Sequence, residues 1–238
     1  MNKINDLAIE IFADGASIEE FVKLNNNPII KGFTTNPSLM KKNGILDYSL
    51  FASELLKIIK NKPISFEVFA DELAEMEKQA LKINSWGENV YVKIPVTNTK
   101  GVSVVSLIHS LQEKKIKLNI TAIFSKTQIK EVLLNLKEDI PSIISIFCGR
   151  IADTGQDPGE LIRFAKEKIN KNSQVKILWA STRELLNIFQ ANDLGADIIT
   201  VPNDLLKKLN LIGKNLDKYS LETVESFYQD AKSSSYSI

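Results

Sequence analysis

Eight short runs of β-branched and aliphatic residues recur along this chain. Between them the hydrophobic period changes from two to about 3.6, the mark of strands alternating with amphipathic helices. The strand-like runs are IEIFAD (9–14), IIKGFT (29–34), ISFEVFA (64–70), VYVKIP (90–95), KLNITAI (117–123), IISIF (143–147), VKILWA (175–180) and DIITV (197–201). Helical segments such as SIEEFVKL, LDYSLFASELLKII, DELAEMEKQALKI, SKTQIKEVLLNL, PGELIRFAKEKI and STRELLNIFQAN lie between them. Strands separated by helices pair in parallel, because a parallel neighbour is reached only through a crossover. Eight such units in 238 residues suit an α/β chain folded as a (β/α)8 TIM barrel. An open doubly wound sheet is the alternative, but no GxGxxG turn follows the first strand, and GVSVVS (101–106) is not that motif.

No Gly-, Ser- or Pro-rich linker divides the chain. The expected organisation is a barrel over residues 1–215 and a C-terminal helical extension of the same domain over 216–238. The N-terminus lacks a signal-peptide pattern and no apolar run is long enough to span a bilayer, so the expected location is the cytoplasm. Lys plus Arg (30) and Asp plus Glu (29) nearly cancel, which gives no footprint for nucleic acid. Cys148 is the sole cysteine and His109 the sole histidine, so a zinc site or a histidine-based metal centre cannot be assembled. His109 falls on an amphipathic helical pattern and reads as a structural or surface residue.

Barrel enzymes carry their chemistry at the C-terminal ends of the strands, so polar residues there are informative. Lys93 interrupts VYVKIPV on the face opposite Val92 and Ile94. Desolvation favours the neutral amine of a lysine, and a neutral amine attacks a ketone; a strand-end lysine reaching solvent is the bland alternative. Glu67 in ISFEVFA is either the partner of a buried cation, with Lys93 one strand away, or a proton-transfer group. Asp14, at the end of the first strand before Gly15, reads on its own as a turn residue or helix cap. Asn119 and Thr121 share one strand face, with Ala122 on the other, and suit either hydroxyl recognition or a satisfied barrel layer. Ser145 and Phe147 share a face before Arg150, and Ser181 and Arg183 follow the seventh strand. Two arginines there, with a helix N-terminus after Ala180, suit a phosphate or form ordinary ion pairs.

These segments resemble the transaldolases and the related fructose 6-phosphate aldolases. GFTTNPSL (32–39) is the most specific match, and VYVKIPVT (90–97), LNITAIFS (118–125), SIFCGRI (145–151), ASTRE (180–184) and GADIITVP (195–202) follow in the expected order. The resemblance covers residues 9 to 210 and implies a role for each matching position. Lys93 would form an imine with a ketose, Asp14 would take the hydroxyl proton as the carbon–carbon bond breaks, and Glu67 would hold a water and shuttle protons. Thr35, Asn36, Asn119, Thr121 and Ser145 would bind substrate hydroxyls or that water. Arg150, Arg183 and Ser181 would hold a phosphate, with Phe147 beside the imine.

The resemblance implies transfer of a dihydroxyacetone unit between sugar phosphates, with no cofactor and no metal, in a homo-oligomer. The alternatives are a lyase releasing free dihydroxyacetone and a non-catalytic sugar-phosphate-binding barrel. The aldolases carry Gln at the position of Glu67 and Tyr at that of Phe147, so both residues here are of the transaldolase type. Gly15, Ile146, Cys148 and Thr182 depart from the family pattern beside the expected site.

Overall fold

The computed structural model describes residues 4–15, 17–35 and 37–234. β1 (Glu10–Asp14) leads to α1 (Ile18–Asn25), and β2 (Ile30–Thr34) to α2 (Pro37–Lys42) and α3 (Tyr48–Ile58). β3 (Ile64–Glu67) and α4 (Leu73–Asn84) come next, then β4 (Val90–Pro95), α5 (Val105–Glu113), β5 (Leu118–Ile123) and α6 (Lys126–Asn135). β6 (Ser142–Ile146) precedes α7 (Cys148–Ala152) and α8 (Gly159–Lys168), and β7 (Val175–Trp179) precedes α9 (Leu186–Asp193). β8 (Ile198–Pro202), α10 (Asn203–Leu206) and α11 (Leu216–Ser233) are the last elements among the described residues. The strands close a barrel in the order β1 to β8, with β8 returning parallel to β1. The expected (β/α)8 architecture is present, with a helix after the last barrel unit.

Alternation along each strand makes two separate cores. Outward residues such as Ile11, Ala13, Val92, Ile94, Leu118, Ile120 and Ile199 pack under the helices in one large cluster. Inside the barrel Phe12, Ile143, Leu178, Ala180 and Ile198 form a smaller one, with Tyr91 and Phe147 against it. This apolar plug fills the interior below the C-terminal strand ends, as TIM-barrel layers do. Gly32 makes room for it: a Cβ there would fall 2.4 Å from the Phe12 ring, so any side chain would displace the plug.

Three details differ from the sequence reading. β3 stops at Glu67 rather than near residue 70, because the N–H groups of Phe69 and Ala70 donate to Gln79 Oε1 of α4. β5 has an irregular register against β6 beyond Ile120, and Ala122 adopts φ 58°. Such a bulge re-aims side chains, and Ala122 joins Thr121 on the inner wall instead of facing outward. Finally, α9 begins at Leu186, so no helix N-terminus follows Ala180 directly; Ser181 turns the chain with φ 65°.

His109 lies exposed on α5. No helix of the described residues is long and apolar enough to cross a membrane. α11 is capped by Asn215, whose side chain accepts from Lys218 N–H, yet it buries no residue. Leu221, Val224, Phe227 and Tyr228 are left exposed along it.

Candidate active site

β3 and β4 pair with Glu67 directly beside Lys93, so both inward side chains arrive at the same height in the barrel. Lys93 is 8% exposed, and its Nζ lies 3.1 Å from Glu67 Oε2. Nζ also donates to the backbone carbonyl of Thr35 at 3.2 Å. A buried cation is tolerated only when its donors are matched, and here a carboxylate and a carbonyl match two of the three. The remaining direction faces the cavity, whose wall includes both Lys93 and Glu67.

Asp14 ends β1 opposite Thr34 of β2. The Thr34 hydroxyl donates to Asp14 Oδ1 at 2.9 Å and lies 2.6 Å from Thr200 Oγ1. With its single proton given to Asp14, Thr34 accepts from Thr200. Thr182 fixes β8 from the far side by donating to the Thr200 carbonyl at 2.7 Å. On the opposite wall Ser145 donates to Asn119 Oδ1 at 2.7 Å, and Asn119 Nδ2 donates to Ser65 Oγ at 3.0 Å. The hydroxyl of Thr121 is buried and has no hydrogen-bond partner among the described residues, although the residue lines the cavity. A buried hydroxyl of this kind calls for a water or a ligand oxygen.

The cavity, about 480 Å³, opens at the C-terminal end of the barrel. Asp14, Glu67, Lys93, Thr121, Ser145, Phe147, Arg150, Ser181 and Arg183 all contribute to its wall. Phe147 follows β6, its ring 5.6 Å from that of Phe124 and 5.2 Å from the Arg150 guanidinium. Arg183 is half exposed and grips the Asp153 carboxylate through Nε and Nη2, which holds the Asp153 carboxyl below its usual range. Gly149 lets the two arginine-bearing segments close on each other. It donates to the Ala180 carbonyl, and a Cβ on it would fall 1.5 Å from the Ser181 carbonyl oxygen. Two cations and a polar turn thus meet at one rim of a cavity whose floor holds a buried amine and two carboxyl groups.

Nine of the residues singled out from sequence therefore meet at one cavity. Asn36 lies outside the described residues. Thr35 and Asn119 are not part of the cavity wall, and both are fully buried. Thr35 Oγ1 donates to the Ser65 carbonyl, and Asn119 bonds to Ser65 and Ser145. They stand one layer behind the wall. Thr34, Thr200 and Ala122 were missed, although they line the wall, and Thr182, noted from sequence only as a departure beside the site, lines it too. The period-two pattern alone puts Thr34 and Thr200 on inner faces at strand ends, and that signal was available. The bulge that turns Ala122 inward leaves no such trace.

A family model described as Transaldolase/Fructose-6-phosphate aldolase matches residues 11–238. A "probable transaldolase" of Nitrosopumilus maritimus is 33% identical over 226 residues, covering 94% of this chain and 96% of its own length. One from Methanococcus maripaludis is 36% identical over 202 residues, covering 84% of this chain and 89% of the relative. Among solved structures, a dihydrodipicolinate synthase from Rhodopseudomonas palustris superimposes with a TM-score of 0.56 at 14% identity, covering 94% of this chain and 79% of that one. A 2,3-dimethylmalate lyase does so at 0.56 and 12%, covering 96% and 86%. At such identities the superpositions speak to the fold alone.

Proposed function

This chain belongs to the transaldolase/fructose-6-phosphate aldolase family, and on that premise we propose that it transfers a dihydroxyacetone unit from a ketose phosphate to an aldose phosphate through a Schiff base on Lys93. The observation that carries this reading is the buried Lys93 amine at a strand end, 3.1 Å from Glu67 and facing a cavity rimmed by Arg150 and Arg183. A non-catalytic sugar-phosphate-binding barrel has no need of that pair.

In the proposed sequence Lys93 passes a proton to Glu67 and attacks the ketose carbonyl as a neutral amine. Glu67 returns the proton to the carbinolamine hydroxyl, which leaves as water. The unpartnered Thr121 hydroxyl and Glu67 suit the holding of that water. Asp14, oriented by Thr34, takes the proton of the hydroxyl on the carbon to be released. The carbon–carbon bond then breaks, its electrons pass to the imine nitrogen, and an enamine stays on Lys93 while an aldehyde departs. A second aldehyde captures the enamine and the steps reverse. Phe147, with no phenol to supply a proton, leaves the three-carbon unit waiting for that acceptor. Asn119 acts from behind by orienting Ser145.

The exposed apolar residues of α11 support self-association through that helix. A chain ending at Gly213 is expected to sediment at a lower mass than the full chain, and equal monomer masses would dismiss the idea.

Reduction with borohydride in the presence of fructose 6-phosphate is expected to add the three-carbon unit to the peptide carrying Lys93. Labelling of another lysine such as Lys31, or none, would remove the mechanism. Arg150→Ala or Arg183→Ala is expected to raise KM for phosphorylated sugars roughly tenfold or more, since a hydrogen bond to a charged group contributes about 1.5–3 kcal/mol. Equal losses with an unphosphorylated donor would contradict a phosphate role.

Phe147→Tyr adds a phenol at nearly constant volume. It is expected to shift the ratio of free dihydroxyacetone release to transfer by about tenfold, roughly 1.4 kcal/mol between transition states. Rapid cleavage of fructose 6-phosphate by the unaltered protein without any acceptor would replace transfer with the lyase activity.

A further inference from the structure

We infer that Tyr48, at the start of α3 and outside the barrel, is a positioning residue that keeps the Thr35 carbonyl available to Lys93 and holds Glu67 in place. The inference rests on the Schiff-base reading above and assigns to it a residue that no strand-end pattern indicates.

The hydrogen-bond ladder between β2 and β3 carries the argument. In a parallel pair every second residue of one strand donates to one residue of its neighbour and accepts from the residue two further along. Phe33 N–H donates to the Pro63 carbonyl, and Thr35 N–H donates to the Ser65 carbonyl at 3.2 Å. The next rung of this ladder would join Glu67 N–H to the Thr35 carbonyl. That rung is not made. Glu67 N–H donates instead to the Tyr48 phenol oxygen at 2.8 Å, and the Thr35 carbonyl accepts from Lys93 Nζ at 3.2 Å. The phenol thus replaces one backbone acceptor, and the carbonyl it replaces is the one that meets the amine.

Several contacts hold that oxygen where it is. The Tyr48 ring packs on Phe69, Trp86 and Phe66 at centroid distances of 4.5, 5.5 and 5.9 Å. Thr35 supplies a further hydrogen-bonding neighbour for the hydroxyl, and burial pushes the phenol far above its usual range, so it stays neutral. A neutral phenol accepts an N–H without adding charge beside Glu67. Val68 N–H bonds to the Lys93 carbonyl at 3.0 Å, so β3 and β4 stay paired just past the active pair. Only on the β2 side is the sheet opened, and Tyr48 fills that opening.

Without the phenol, the Thr35 carbonyl is the acceptor that the parallel ladder assigns to Glu67 N–H. Completing the rung would take that carbonyl from Lys93 and draw the Glu67 strand end toward β2. Imine formation, which needs both groups, is the step that suffers. Phosphate and hydroxyl contacts lie on other strands and stay as they are.

The test compares the unaltered chain with Tyr48→Phe and Trp86→Phe, reading the rate of borohydride-trapped imine with fructose 6-phosphate, KM for that sugar, and Tm. Tyr48→Phe is expected to slow trapping by about tenfold with KM changed less than twofold. Trp86→Phe disturbs the same aromatic cluster without touching the Glu67 N–H, and is expected to lower Tm while trapping proceeds at the original rate. An unaltered trapping rate in Tyr48→Phe, or an equal fall in Trp86→Phe, overturns the inference. If Tyr48→Phe does not fold, 3,5-difluorotyrosine at position 48 keeps ring and oxygen but weakens the acceptor. A smaller fall in the same direction is then expected, and an unchanged rate overturns the inference. Absence of trapping in the unaltered chain would instead bring down the Schiff-base reading itself.

Discussion

Two opposite charges facing each other inside a barrel set the terms for everything around them. Glu67 and Lys93 sit on adjacent strands in direct register, with side chains 16% and 10% exposed. Taking such ions out of water costs several kcal/mol each, and removing one partner from a buried pair costs about 3–5 kcal/mol. The pair therefore persists only with closely fitted neighbours. Barrel closure sets the height of both residues, the Thr35 carbonyl accepts a hydrogen bond from Lys93, and the Tyr48 phenol oxygen accepts one from the Glu67 N–H. The barrel carries this pair because its backbone register is fixed on both sides of each strand. A loop would not hold two desolvated charges to this tolerance.

Around the pair the interior is divided by chemistry. Phe12, Ile143, Leu178 and Ile198 fill the barrel below. Above them nearly every polar side chain is bonded to another, through Ser65–Asn119–Ser145 on one wall and Asp14–Thr34–Thr200 on the other. In a low-dielectric interior a satisfied network is stiff, while an unsatisfied atom is costly. Thr121 stands out for that reason, as a hydroxyl with no partner among the described residues at the edge of the cavity. The likeness to distant barrels says nothing about such details, since it reaches the backbone and not these side chains.

Much of the fold was legible because period two and period 3.6 are direct consequences of backbone geometry. All eight strands fall where the alternation sets them; the widest difference, the end of β3, comes from Gln79 of α4 capturing two N–H groups that alternation would assign to the strand. Lys93 and Glu67 were legible as charges inside apolar runs. Asn119 was legible as a polar residue sharing a face with Thr121, and Thr35 only through the family resemblance, but their distance from the cavity depends on which partners take up their hydrogen bonds, and that is decided by Ser65 on a different strand. Ala122 was assigned to the wrong face because a bulge resets the alternation within one residue. Tyr48 had no signal at all: it reads as an ordinary residue on an amphipathic helix, and its role arises only from where α3 meets the end of β3.

The rim shows how a charged site can be held ready without being locked. Arg183 already gives two of its N–H groups to Asp153, so the fork is oriented before any ligand arrives. Both side chains are about half exposed, and an ion pair so open to solvent is screened and contributes little to stability. Its worth lies in orientation. A guanidinium has five N–H donors in one plane, so a phosphate can engage those that Asp153 leaves free. Arg150 is held differently, its guanidinium 5.2 Å from the Phe147 ring centroid with no hydrogen-bond acceptor or ion-pair partner among the described residues. One arginine is thus aimed by a carboxylate and the other by an aromatic face, and the Gly149–Ser181 approach brings their segments together. Because the ring that supports Arg150 is also part of the cavity wall beside Ser145, a phosphate gripped at the rim and a three-carbon unit bound below would share Phe147 as a common surface. The proposed binding and transfer steps are then coupled through one side chain.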